Sequence, residues 1–339
     1  MSADVAPNQA PAVREPAGVS RRSSTAMLVV IAVFYAIVLA LLIYTIATRD
    51  AGLQMRLAGF GAGALYAVCV WHSAAVRGAL RTVTFFGLAA ALAFVAEALG
   101  DNYGLIFGEY HYTGALGPRL LGVPILIIFT WGTIVYCGYS LVIWLTDDVA
   151  SGPATGIRRV ARAVLVGLAT GFIAAGFDLM VDPLAVSGVW REVLGADAWW
   201  WWIEGGPYLP NLESWQGGDG IPVMNFVGWT MVPLVIVAVY AVIFPGGDRP
   251  GDRRTRAVPL LVYGYLYLTI LGGLIAMSWF DPGLTGVIVI GTLAMGPVFV
   301  LGVLKLLGPE GVRRTTSTSG SPGRQGPSRV APPSSPAAR

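Results

Sequence analysis

An all-α bundle of about eight membrane-crossing helices, with both termini in the cytoplasm, is the fold class this sequence predicts, and three observations carry it. Of the 339 residues, 55% are hydrophobic and only 12% charged, with a mean hydropathy of +0.67; soluble domains carry about 25% charged residues. Eight stretches approach or exceed the roughly 20 residues that cross about 30 Å of hydrocarbon. The alternation of a lipid-facing barrel strand is missing, and backbone groups in lipid must find partners within their own element, which leaves helices.

The eight stretches run over residues 26–47, 57–75, 80–100, 120–145, 160–181, 222–244, 257–279 and 285–307. The first is too long for a signal-peptide core and follows a polar leader of 25 residues, so it reads as a retained span. Cys69 and Cys137 fall inside spans without metal-ligand spacing and read as small apolar packing residues. His72 and His111 are too few and too scattered for a histidine-based metal site, although this count leaves a carboxylate site for a hard cation open; no metal ligand is assigned and no cofactor is expected.

Of the 22 basic residues, eighteen fall on one side when the N-terminus is placed inside, and Arg49, Arg56, Arg119 and Arg191 fall on the other. Lys and Arg in short loops stay cytoplasmic, so this bias supports an even number of spans and a multi-pass plasma-membrane protein with both ends inside. Three regions are expected: a disordered cytoplasmic leader at 1–25, a transmembrane domain at 26–307 and a disordered cytoplasmic tail at 308–339. That tail is rich in Ser, Pro, Gly and Arg and cannot bury enough apolar surface to fold. The basic inner loops read as topogenic charge, with no nucleic-acid partner. The outer loops 101–119 and 182–221 are long, acidic and aromatic, which places function at that face.

Carboxylates within apolar spans are costly and point to function. The third span reaches Glu97 after about 26 Å of helix at 1.5 Å per residue, with Asp101 one turn later. The fifth reaches Asp178 after about 27 Å, with Asp182 four residues on, and Pro183 is expected to end that helix. The plain alternative is a set of interfacial acids at water level, which fits Asp101 and Asp182 better than Glu97 and Asp178. Loop 101–119 holds four glycines, three tyrosines and a phenylalanine and is expected to fold back as a cap. Loop 182–221 carries Trp190, the run Trp199–Trp202, and Tyr208. These tryptophans read as an interfacial belt, as a wall of π-faces toward a cation, or as both. Asn225 and Trp229 share a face of the sixth span, where Asn225 reads either as a donor to a buried carboxylate or as a helix-packing contact.

Two blocks of residues resemble a known family. Glu97, Gly104, Phe107-Gly108, Tyr110, Tyr112, Leu116-Gly117 and Gly122-Val123-Pro124 form the first. Asp178, Asp182-Pro183, Trp200 or Trp202, Gly206, Tyr208, Ile221-Pro222, Asn225-Phe226 and Gly228-Trp229 form the second. In this order they resemble the membrane carotenoid-biosynthesis family, which includes carotenoid 1',2'-hydratases and bisanhydrobacterioruberin hydratases. The resemblance covers roughly residues 80–230; the chain departs from it by inserting residues 209–220. It implies a hydro-lyase that adds water to the terminal C=C of an acyclic carotenoid of the lycopene or bacterioruberin-precursor type, in membrane lipid and alongside other pathway enzymes. Such chemistry needs a protonated carboxyl to form a tertiary carbocation and a second carboxylate to deprotonate the captured water. Glu97, Asp178, Asp182 and Asp101 are the candidate catalytic groups. Tyr110, Tyr112, Trp202, Tyr208, Asn225 and Trp229 are the candidate substrate-binding residues.

Two rivals stand beside this reading. Asp178-x-x-x-Asp182, with Glu97-x-x-x-Asp101 as its partner, also resembles the magnesium-binding motif of membrane prenyltransferases that use a prenyl diphosphate. Ala174, however, stands where that motif has asparagine, and only Arg119 and Arg191 are at hand to bind diphosphate. A non-catalytic carotenoid- or lipid-binding protein is the other. Apolar span centres count against a transporter.

Overall fold

Eight helices of 21 to 31 residues make up the body of the protein among the residues that the computed structural model describes. Those are residues 21–48, 52–146, 155–208, 220–244 and 252–308, with the side chains of 21 and 52–60 excepted. The predicted leader up to residue 20, the tail from 309 and the insertion up to residue 219 therefore lie outside the described residues. The body, Met1–Leu307, is one unit, and Gly308–Arg339 is a separate one.

In chain order the elements are α1 (Arg21–Thr48), α2 (Gly52–Arg77), α3 (Ala79–Tyr103), β1 (Glu109–Tyr112), β2 (Arg119–Leu120), β3 (Val123–Pro124), α4 (Ile125–Leu145) and α5 (Gly156–Val186). They continue with the single turn α6 (Val189–Glu192), β4 (Trp200–Glu204), α7 (Val223–Ile243), α8 (Arg253–Ser278) and α9 (Leu284–Leu307). All the long helices but α2 are long and apolar enough to cross a membrane; α2 is of similar length, with side chains described from Gly61. The chain is thus the polytopic helix bundle that its composition predicts. Apolar side chains exposed along α1, such as Val29, Val33, Leu39 and Ile43, suit a lipid-facing surface.

Two boundaries differ from expectation. The fourth helix starts at Ile125 instead of residue 120, because Arg119–Leu120 pairs with Val123–Pro124 as a two-residue hairpin. Leu121 and Gly122 at its tip both have positive φ, 47° and 88°, as tight hairpin turns demand. The fifth helix runs past Pro183 to Val186. Proline removes one N–H near the helix end, and a single missing bond does not stop the last turn. The closing carbonyls are taken up by the following segment: the Trp190 indole donates to Leu184 O at 2.6 Å and the Trp199 amide to Ala185 O at 2.9 Å.

Helix α5 is the centre of the bundle and packs most extensively on α7. Gly167 and Gly171, one turn apart, make that approach possible. A Cβ at Gly167 would lie 2.6 Å from Leu234 O, and one at Gly171 would overlap Thr230 O. Gly132 of α4 permits a similarly close approach, set against the Tyr66 ring. Cys69 of α2 and Cys137 of α4, buried in the core, bring their sulfurs to 3.9 Å.

The α5–α7 contact yields a stability prediction. Gly171→Leu should lower stability by about 1–3 kcal/mol or more through overpacking. Gly176→Ala, whose new Cβ would meet Ala294 at an ordinary 3.4 Å, should stay near wild type in thermal unfolding of the detergent-solubilised protein.

Candidate active site

Helix α3 carries Glu97 and Gly100 toward its C-terminus and ends at Gly104, whose φ of 65° is the left-handed cap that glycine adopts without strain. The Gly104 amide bonds Gly100 O at 2.9 Å and the Leu105 amide bonds Leu99 O at 3.2 Å, which turns the chain back over the bundle. Phe107 then seats against two glycines: a Cβ at Gly228 of α7 would lie 2.6 Å from its ring, and one at Gly100 would lie 3.0 Å away. Gly100 also makes room for Tyr110, whose ring would stand 2.6 Å from the same added carbon. The expected cap therefore exists, and it takes the form of a sheet.

In that sheet β1 pairs antiparallel with β4, setting Tyr110 opposite Trp202, His111 opposite Trp201 and Tyr112 opposite Trp200. Side chains alternate between the faces of a strand, so Tyr110, Tyr112, Trp200 and Trp202 all point inward and are buried. His111 and Trp201 take the outer face, with ring centroids 6.1 Å apart. The tryptophan run is split by this alternation into structural and outward members.

The inner face of the cap reaches two groups of buried acids. Tyr110 Oη and Tyr112 Oη both donate to Glu97 Oε2, the latter at 2.6 Å. Trp131 Nε1 of α4 donates to Glu97 Oε1 at 2.6 Å. On α5, Asp178 and Asp182 lie one turn apart and share a donor. The two amide hydrogens of Asn225 Nδ2 serve Asp178 Oδ2 at 2.6 Å and Asp182 Oδ2 at 2.5 Å. Asp178 Oδ1 is buried and receives no N–H or O–H among the described residues.

A stacked pair of indoles joins the two groups. Trp131 and Trp229 lie 3.8 Å apart between centroids, at 15°. Trp131 holds Glu97, and Trp229 stands one helical turn beyond Asn225. Phe177, beside Asp178 on α5, closes the cluster at 6.0 Å from Trp229.

Other candidates take different places. Asp101 lies outside the buried group, at the rim, where His111 Nδ1 is 3.4 Å from its Oδ1. Trp202 donates to Phe107 O at 3.0 Å and packs beside Tyr110 at 5.9 Å, which makes it a support for the tyrosine. Tyr208 pairs with Pro222 through a backbone bridge at the outer edge, away from the carboxyl contacts. Among the described residues no three His, Cys, Asp or Glu side chains converge as a metal-ligand set. Trp131 was not singled out from sequence. The signal was its indole N–H, which needs an acceptor when buried, placed near the start of an otherwise mostly aliphatic span.

Residues 27–296, most of the chain, match the profile of the family described as "Carotenoid biosynthesis protein", and the chain belongs to that family of carotenoid-modifying membrane proteins. A bisanhydrobacterioruberin hydratase of Haloarcula japonica (strain ATCC 49778 / DSM 6131 / JCM 7785 / NBRC 101032 / NCIMB 13157 / TR-1) is 28% identical over 202 residues. That match covers 58% of this chain and 58% of the length of the haloarchaeal protein. No solved structure matches.

The cap chemistry is open to direct test. Burial first, and then the adjoining Glu97 carboxylate, push the Tyr110 and Tyr112 phenols well above their ordinary value near 10. In an alkaline absorbance titration, Tyr110→Phe with Tyr112→Phe should remove no ionisation step from the region of about pH 10. Loss of a step there would show that the phenols are exposed.

Proposed function

We propose that this chain is a carotenoid hydratase, a hydro-lyase that adds water across the terminal C=C of an acyclic carotenoid end group. The observation that carries the reading is the juxtaposition of a carboxyl pair, Asp178 with Asp182, and a separate carboxyl, Glu97, held by three neutral donors. Both are buried among aromatic rings in a membrane protein. Hydration of an unactivated alkene requires these two kinds of acid.

Two carboxyls bonded to one amide nitrogen, at 2.6 and 2.5 Å from Asn225 Nδ2, hold a single proton between them, as like charges that close and that buried do not both ionise. The pair is therefore the proton donor, and Asp178 Oδ1, which no donor occupies, is the oxygen left to face substrate. Glu97, with both oxygens accepting hydrogen bonds from Tyr110, Tyr112 and Trp131, is held as the carboxylate. The pair delivers its proton to the inner CH carbon of the double bond, and the positive charge develops at the outer, dimethyl-bearing carbon as a tertiary cation. The faces of Trp131 and Trp229 and the negative Glu97 stabilise that cation. Water adds through oxygen and loses its proton to Glu97, giving the tertiary alcohol. Proton exchange with water at the rim then restores the pair and Glu97 for the next cycle. No oxidant or reductant is required.

The prenyl diphosphate reading has weaker support. Arg119 and Arg191, the cations it relies on, are exposed, while Asp178 and Asp182 are both tied to Asn225.

The test is expression in a host that accumulates lycopene-type acyclic carotenoids, with pigments read by liquid chromatography and mass spectrometry. A gain of one water per end group is expected. Glu97→Gln and Asp178→Asn should each lower the rate about 100- to 10,000-fold, and Glu97→Gln should still bind unhydrated pigment. Pigment that stays unchanged in the presence of correctly inserted protein would refute the hydratase reading.

A further inference from the structure

Glu97, Asp178 and Asp182 are 3%, 0% and 2% exposed, so an end group reaches them only if part of the surrounding wall moves. The construction of that wall tells which part. Helix α5 meets α7 backbone to backbone at Gly167 and Gly171, and β1 is joined to β4 by its ladder. Between α3 and α7 the wall is a side chain, the Phe107 ring lodged against Gly100 and Gly228. We propose that Phe107 is the gate of the acid site, leaving its socket to admit the end group of an apolar chain sideways from the bilayer. That the chain is a carotenoid rests on the hydratase reading.

The segment that carries the ring is strained. The Phe107 amide donates to Leu105 O at 2.8 Å, which closes a three-residue turn centred on Ile106 at a φ of 73°. Turns of this hand are rare, and a β-branched residue enters that region only when its surroundings force it there. Here the seated ring does so: a Cβ added at Gly228 would lie 2.6 Å from Phe107 and 2.9 Å from Ile106 O. Burial of the ring and strain in the turn oppose each other, which is the balance a two-position element needs. The Phe107 amide and carbonyl are bonded to Leu105 and Trp202, so the ring can swing without breaking a backbone bond to either helix.

The socket lies on the boundary between lipid and the acids. Met224, Val227 and Met231 of α7 are 47%, 55% and 46% exposed, whereas Asn225 and Trp229 are buried. At about 3.6 residues per turn Gly228 falls between these two rows. The ring that covers Gly228 therefore separates the lipid-facing row from Asn225, the donor to Asp178 and Asp182. On α3, Gly100 follows Glu97 by one turn, and Tyr103 beyond it is exposed. Inward, the Phe107 ring centroid is 6.2 Å from that of Trp131 and 6.3 Å from that of Tyr110, two of the three groups that hold Glu97. Both kinds of acid thus stand one side chain behind the gate.

The experiment uses the full chain in phosphatidylcholine nanodiscs. It follows addition of a carbodiimide, which attacks protonated carboxyls, by mass spectrometry of the peptides holding Asp178 and Asp182. A lipid-soluble dicyclohexyl reagent should label wild type slowly, and an acyclic lycopene-type polyene should slow it further. Phe107→Ala should be labelled about 10-fold faster or more, with Phe107→Leu between it and wild type. Phe107→Leu keeps an apolar side chain in the socket and is the variant to rely on should Phe107→Ala lower the melting temperature. A water-soluble carbodiimide should gain nothing from either substitution. Wild-type labelling rates in both folded variants would overturn the proposal. A gain confined to the water-soluble reagent would also overturn it, placing the opening on the aqueous side. A polyene that is hydrated yet leaves labelling unchanged would do the same, since the substrate would then take another path. Faster labelling of the variants by the lipid-soluble reagent, with no hydration of pigment, would sink the hydratase reading and leave the gate standing.

Discussion

A carboxyl group withdrawn from water must have its oxygens met by donors from the protein, and the structure is organised around doing this for Glu97. Each hydrogen bond to a charged group contributes about 1.5–3 kcal/mol, and removing a donor while the charge stays buried costs more. The three donors come from two places, Tyr110 and Tyr112 from the outer cap and Trp131 from α4. Glu97 therefore has its full complement only when the cap is seated on the bundle. The sockets that seat it, Gly100 and Gly228, are defined by missing side chains.

The same constraint explains why the aspartates and Glu97 lie close together although they sit on helices α5 and α3. Backbone contact at Gly167 and Gly171 brings α5 against α7, which sets Asn225 between Asp178 and Asp182. Helix α7 also packs on α3 and presents Trp229 to Trp131. The cap closes the circuit from above, since a single buried sheet face carries the tyrosines that hold Glu97 together with Trp200 and Trp202. Packing, hydrogen bonding and electrostatics thus converge on the same few side chains, an arrangement that rigid elements hold better than loops.

Much of this was legible in the sequence because lipid simplifies the code. Apolar length marks a span, and an acid inside a span stands out against it; Glu97, Asp178 and Asn225 were visible on those grounds. What depended on pairing between distant segments was not. Nothing local in Trp199–Trp202 tells which rings turn inward until the strand finds β1, some 90 residues earlier, and then period-two alternation decides it. Trp131 was hidden for a related reason, as a tryptophan in an apolar helix looks like packing until its acceptor is located. The continuation of α5 past Pro183 was missed because the carbonyls at its end are satisfied by Trp190 and Trp199, partners that helix-stop rules do not include. Asp101 and Tyr208, read as part of the same group, stand at its rim because the cap turns away from them.

The bridge between Tyr208 and Pro222, together with the Val223 amide bonded to Pro207 O at 2.8 Å, draws the two ends of the 209–220 insertion together at its base. Loop-closure cost rises only with the logarithm of length, by about 0.6 kcal/mol per doubling. A segment pinned in this way can lengthen or shorten without passing strain to its neighbours. The clamp lies just beyond the last paired residue of β4, so variation in this loop leaves the sheet in register. A one-residue change on the other side of the clamp, within Trp200–Glu204, would exchange the inward and outward faces and turn the buried indoles outward. Insertions and deletions in related chains should therefore accumulate between positions 208 and 222 and be absent from the strand, which makes length variation a marker for where the cap ends.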